Sequence, residues 1–556
     1  MTYPFDLGTY SRHLTAATET AREWARRGLI WCYGYHHEEA IACFDKALAD
    51  DPRCPLALWG RAYALGPNYN FTWDLMDPKG RAEALSAAHA ATLAAMAHRH
   101  NAAPAERALI EALPARYPAA TAPEDPRDMR AWNSAFADAM RDAHQGLPDD
   151  LDVRAIYAEA LLVCTPWRMW DLNTGKPGKY ARTEEAQAVL EEALDNDSRA
   201  MAHPGLLHLY VHLMEMSPTP EKALRAGDAL RHLVPDSGHL AHMPTHIDVL
   251  CGDYASVVRD NQRAVIADRK EYERSGGMNF YTAYRQHNFH FTIYGAMFAG
   301  QIEPALAANE ELIASTPPAL LQVESPPMAD FLEGYLAFGP HILVRFGRWQ
   351  DILELDMPED PVLHCTLAAN VLYAKGVAHA ALGNVAEAEE MQRAFEEARA
   401  AVPESRQIHN NTVVDLLAIG SEMLAGEIAY RKGEYDAAFA HLRQSVALDD
   451  ALPYDEPWGW MQPTRHALGA LLLEQGRVDE AEAVFREDLG FGDTLNRAQI
   501  HPDNVWALRG LHDCLTARGA AEDARFIAQR LAVVEARADA PVRASCFCAQ
   551  KAMAGE

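Results

Sequence analysis

Glycine and alanine recur twelve residues apart along this chain: Gly28 with Ala40, Gly376 with Ala388, Gly426 with Ala438, and Gly469 with Ala481. Such an offset constrains folding strongly, because two helices approach closely only where their facing residues are small, and larger side chains then fill the seam. A second marker places glycine five residues ahead of alanine, at Gly300 and Ala305, Gly383 and Ala388, Gly433 and Ala438, Gly476 and Ala481, and Gly519 and Ala524. Glycine there permits the left-handed backbone that ends one helix before the next begins. These periods predict an all-α chain built from helical hairpins.

The first hairpin carries the fullest pattern. Gly28, Trp31, Ala40, Phe44, Ala47 and Pro52 have the spacing and residue types of a tetratricopeptide unit, with the proline closing its second helix. On these residues the chain resembles the tetratricopeptide repeat superfamily. Three further strings resemble a large bacterial tetratricopeptide group of unassigned function with a histidine-rich central region: Tyr35-His36-His37-Glu38-Glu39, Gly66-Pro67-Asn68-Tyr69-Asn70, and the His-Met-Pro-x-His from His242 to His246. The resemblance implies a right-handed superhelix of hairpins whose first helices line a concave groove. It implies no reaction. Weaker units are anchored by Ala223 and Val257, and proline- or glycine-rich interruptions at 113–128, 165–180 and 316–330 suggest three blocks, 1–128, 129–315 and 316–556.

The formal net charge of -29 argues against a nucleic-acid partner, which needs a concentrated basic face. No positively charged start leads into an apolar stretch, and no run of 18 apolar residues occurs, so neither a signal peptide nor a membrane span is expected and the cytoplasm is the expected location. Seven of the nine cysteines are scattered singly, as reduced thiols in cores are. Cys546 and Cys548 alone form a pair, which reads either as a soft thiolate site or as a frayed, reducible end.

Histidine raises this chain above a plain scaffold. Of 24 histidines, seven lie between His203 and His246. His208, His212 and Glu215 are spaced to project from one helical face, as are His239, His242 and His246, and His287 with His290 makes a shorter pair. His208 and His242 are 34 residues apart, as are His212 and His246, which is one repeat. Aligning the repeats on Ala223, Val257 and Ala305 places His290 with His208 and His242, and His287 with His239, so all seven are expected to face one groove. His232 falls off that face, and His466 shares the position of His208 on a distant repeat.

Imidazole is the commonest transition-metal ligand, and a mainly imidazole shell suits copper, iron or zinc while disfavouring magnesium and calcium. The leading expectation is therefore a metal-dependent enzyme, with copper favoured, performing redox chemistry on a small molecule in the groove. Zinc hydrolysis with Glu215 as base is a further alternative. The competing class is a non-catalytic scaffold whose groove takes a peptide or protein partner. His37 reads as a groove-wall residue or as a cap on a helix C-terminus. The aromatic strings 167–171 and 454–460 read as covers for a substrate or as plugs between helices.

Overall fold

A computed structural model describes residues 3–549 of the chain. The described residues fall into two compact units: one runs up to Ile247 and adds Arg263–Gly276, and the other comprises Asp248–Gln262 and the chain from Gly277 onward.

Each unit is a series of antiparallel helical hairpins. In the first, Glu19–Tyr33 packs on His37–Asp50, Pro55–Ala64 on Pro78–His98, Pro104–Arg116 on Arg130–Gly146, Leu151–Leu162 on Thr183–Asn196, and Pro204–Met214 on Leu224–Leu230. In the second, Thr282–Ala299 packs on Ile302–Ala314, Cys365–Ala381 on Val385–Ala401, Val413–Arg431 on Tyr435–Asp450, Thr464–Glu474 on Val478–Asp488, and Val505–Ala517 on Ala521–Glu535. First helices also contact the first helix of the next hairpin, as Glu19–Tyr33 does Pro55–Ala64 and Cys365–Ala381 does Val413–Arg431. This is tetratricopeptide-type stacking. Among the described residues, strand is confined to two two-stranded ribbons, Trp170–Asp171 with Lys176–Pro177 and Gln407–Ile408 with Asn411–Thr412. No helix of the described residues is long and apolar enough to cross a membrane.

The small residues act as expected, with one refinement. Gly433, at φ +78°, turns the chain between its two helices with open space where a Cβ would lie, so its conformation rather than its size is required there. Gly28 serves the opposite purpose: a Cβ on it would lie 2.5 Å from Phe44 Cε1. Its partner is thus Phe44, sixteen residues on, rather than Ala40. Gly60 of the following hairpin touches the same ring, so Phe44 is clasped between two hairpins, and Phe485 is clasped likewise by Gly469 and Gly510. The first expected interruption starts later than its proline suggested, because Pro114 lies inside the last turn of Pro104–Arg116 and the helix ends two residues after it.

Burial also sets charge states. In the second unit His341 lies against Trp460, with ring centroids 4.8 Å apart, and burial lowers its pKa from 6.5 to about 4. The folded value lies below the unfolded one, so the neutral imidazole's contribution is complete above pH 6.5 and is lost as pH falls towards 4. His341→Leu should flatten the acid side of the unit's stability profile by up to about 1.4 kcal/mol per pH unit in that window. Denaturant titrations at a series of pH values check this; an unchanged slope would mean that the folded state accepts the proton.

Candidate metal centre

Pro204 opens the helix Pro204–Met214, and its lack of an N–H costs nothing at a first helical position. That helix carries His208 and His212 one turn apart, with Glu215 as its C-cap. Gly238–His242 carries His239 and His242 and then breaks, because Pro244 cannot continue it and starts Pro244–Cys251, which holds His246. His208, His212, His239, His242 and His246 come together here within the first unit, all almost completely buried.

The proline break changes the pairing expected from one-repeat spacing. His208 meets His239, with Nε2 atoms 3.1 Å apart, while His242 Nε2 lies 2.7 Å from His246 Nε2. One ligand nitrogen from each of His208, His212 and His239 lies within 4.8 Å of the others. Two nitrogens on a tetrahedral zinc stand about 3.3 Å apart, given Zn–N bonds of about 2.05 Å. The His208–His239 separation fits that value. The tighter His242–His246 contact is a direct hydrogen bond.

The outer ring nitrogens are fixed. His208 Nδ1–H donates to the carbonyl of Tyr33 at 2.7 Å, one of the last carbonyls of Glu19–Tyr33 and so without an intrahelical donor. Glu215 accepts from His212 Nδ1 at 2.9 Å through one oxygen and from His246 Nδ1 at 2.6 Å through the other. Protonated Nδ1 atoms leave the Nε2 lone pairs of His208, His212 and His246 directed away from these partners. Glu215, the candidate base of the zinc alternative, accepts from an imidazole at each oxygen. Burial, and then the neighbouring imidazoles of His208, His242, His212 and His246, lower the pKa of His239 well below 6.5, which favours its neutral imidazole.

Aromatic residues complete the surroundings. Tyr35 has φ +54°, a costly conformation for a residue with a side chain, and its ring lies 4.6 Å from that of His208 while stacking on His212 and His239 at 6.1 and 5.6 Å. Tyr69 lies 4.4 Å from His212, and its hydroxyl accepts the backbone N–H of Trp167 at 3.1 Å. The loop 167–171 thereby backs the centre, and Trp170 Nε1 donates to the Leu213 carbonyl at 2.6 Å. Behind Tyr33 sits Asp152, which accepts 2.5 Å hydrogen bonds from the hydroxyls of Tyr33 and Tyr10 and pairs with Arg12 at 2.7 Å. Burial opposes the charge of Asp152, but His203, Arg12 and Tyr10 outweigh it and hold the carboxyl below its usual range.

The remaining histidines have surroundings of their own. His36 caps the N-terminus of His37–Asp50; His37 is buried near Tyr63 and bonds to the backbone of Ala64 and Gly66 at the C-terminal end of Pro55–Ala64, with a pKa lowered to about 3 chiefly by burial. His232 accepts from Arg263 at 2.8 Å on the surface, off the cluster as its phase predicted. His287 and His290 belong to the second unit, on Thr282–Ala299. There His287 stacks on His409 at 5.4 Å, and His409 donates to Asp455 at 2.6 Å, which gives the loop 454–460 a packing role. His290 lies on Phe338 at 4.5 Å, and burial lowers its pKa to about 3. His466 donates through Nε2 to Asp488 at 2.9 Å and accepts from Arg345 at 2.8 Å, which occupies both ring nitrogens.

No protein-family model matches the chain, and no curated protein matches it in sequence. Among solved structures it is similar to a monomeric IFIT1 mutant with Gppp-AAAA (13% identity over 86% of this chain and 90% of that one, TM-score 0.31). It is also similar to the APC/C hetero-tetramer Cut9-Hcn1 (12% identity, 96% and 95% covered, TM-score 0.25) and to yeast Tom70 (11% identity, 92% and 90% covered, TM-score 0.24). Scores this low carry nothing about ligand or activity. The tetratricopeptide-type architecture rests on the chain's own hairpins.

Proposed function

We propose that this chain is a helical-repeat scaffold that holds a transition-metal ion between His208, His212 and His239, with His242 and His246 completing the polar shell. The observation that carries this reading is the grouping of three buried imidazole nitrogens within 4.8 Å. Fixed Nδ1 hydrogen bonds on His208 and His212 support it, since outer partners of this kind set ligand tautomer and direction. A nitrogen-rich set suits zinc, copper, nickel or ferrous iron better than magnesium or calcium. Bound there, the ion would supply Lewis acidity or, for copper and iron, one-electron chemistry. Redox catalysis, with copper as the favoured metal, is thus open to the site. Base catalysis by Glu215 is less well supported, because both its oxygens already serve imidazoles.

Metal analysis of untagged, chelator-free protein tests this reading. Near one ion per chain is expected, and less than about 0.2 after anaerobic reconstitution with zinc, copper and iron would refute it. Glu215→Gln should weaken metal binding on the order of tenfold to a hundredfold, because an amide cannot accept from both Nδ1–H groups. Competition against a chromophoric chelator measures this. Unchanged affinity would remove Glu215 from the site.

The fold favours a second reading, in which stacked hairpins present a surface to a peptide or protein partner and the histidine cluster serves only the interior. Metal-free protein that remains fully folded and takes up no ion would leave that reading standing.

A further inference from the structure

The tail residues Cys546 and Cys548 lie against the second unit, where Glu427 of Val413–Arg431 is within reach. One ligand atom from each of the three residues lies within 4.8 Å of the others. Their proximity is built into the fold. Arg345 donates to the Ser545 carbonyl at 2.6 Å, Ser545 Oγ donates to the His466 carbonyl at 3.0 Å, and Arg431 donates to the carbonyl of Cys548. Phe547 fills the space over Gly347, where a Cβ would stand 2.7 Å from its ring. Glu427 is 1% exposed, and its Oε2 accepts no hydrogen bond from the described residues. A buried carboxylate oxygen left in that state is costly unless a cation approaches it. The Arg431 guanidinium stands 3.8 Å off and meets only part of that need.

We propose that, in the reduced chain, Cys546, Cys548 and Glu427 form a zinc-type site that clamps the tail to the second unit. The structure shows the two cysteines joined as a disulfide, which is the oxidised state of the same device. A thiol reductant transfers two electrons and two protons to the S–S bond and is itself oxidised to a disulfide. The divalent ion then displaces the protons of the two thiols and binds two thiolates and the carboxylate, leaving a fourth position for water. Charge favours a divalent ion. Two thiolates and one carboxylate carry three negative charges, Arg431 returns one, and a dication balances the remaining two. The backbone N–H of Cys548 points at Cys546 Sγ from 3.2 Å, an outer contact suited to a thiolate ligand.

Cobalt is the probe, because thiolate ligation to cobalt produces a near-ultraviolet charge-transfer band that imidazole ligation does not. The full-length chain, reduced with a phosphine and given one equivalent of cobalt, should show the band, and the oxidised chain should not. Cys546→Ser and Cys548→Ser should each abolish it while leaving the helical spectrum unchanged, since both lie in the tail. Glu427→Gln should weaken cobalt binding on the order of tenfold to a hundredfold. The double change His208→Ala with His239→Ala should leave the band intact, which separates this site from the histidine centre. Absence of the band in the reduced chain overturns the proposal, as does its persistence with both tail cysteines replaced. Unchanged affinity in a folded Glu427→Gln chain overturns the carboxylate's part.

Discussion

Zinc added to the metal-free, non-reduced chain at pH 7.5 should raise the unfolding transition of the first unit, and His208→Ala combined with His239→Ala should remove that rise. Keeping Cys546 and Cys548 oxidised excludes the tail from the measurement. An ion that binds only the folded state stabilises it by RT ln(1 + [L]/Kd), about 2.7 kcal/mol at a hundredfold excess over Kd. For a unit of this size that corresponds to a shift of roughly 5–10 °C. The two histidines come from different helices, and their Nε2 atoms are 3.1 Å apart, so an ion between them ties Pro204–Met214 to Gly238–His242. Truncating buried imidazoles lowers baseline stability as well. The quantity that decides is therefore the difference between melts with and without zinc for each variant, with far-ultraviolet circular dichroism to verify the helices. A double variant that keeps the full shift would show that the ion, if any, sits elsewhere.

Phe44→Ala should destabilise the first unit by about 3–5 kcal/mol, the range for emptying a buried aromatic site. Phe44 is fully buried, and both Gly28 and Gly60 lie against its ring, so neither backbone can fill the space without moving a helix. The loss reaches two hairpins at once. Phe44→Leu should recover much of it, because a leucine fills part of the same volume. Phe485, between Gly469 and Gly510, makes the same prediction for the second unit, and the two effects should add because they belong to separate units. Denaturant unfolding of the two single variants and the double variant measures all three. A cost below about 1 kcal/mol for Phe44→Ala would mean that the hairpins close over the gap, contrary to the rigid contact described.

The hairpins were legible in the sequence because their determinants are local. A glycine that ends one helix and a small residue that admits the next act within about a dozen positions, and Gly300, Gly383, Gly433, Gly476 and Gly519 all have φ above +70°. The same locality made it legible that His208 with His212, and His239 with His242 and His246, would be presented together, since three- and four-residue spacing is a property of one helix. The pairing between helices was not legible. Repeat arithmetic matched His208 with His242, but Pro244 breaks the second helix after a single turn and brings His239 to His208 instead. Tyr35 and Tyr69 lay in strings that stood out by composition, yet only the tertiary structure places their rings on His212, in one case through a left-handed backbone at Tyr35 that no local preference favours. Glu215 read as a base because its helix shows it beside His212. The second imidazole that occupies it, His246, arrives from a separate helix 31 residues away. The tail cysteines and Glu427 are separated by more than a hundred residues, and nothing in either segment names the other. Sequence periodicity determines which side chains share a face; what meets that face depends on where helices are interrupted and how distant segments pack, and those are decided by the summed contacts of the folded chain.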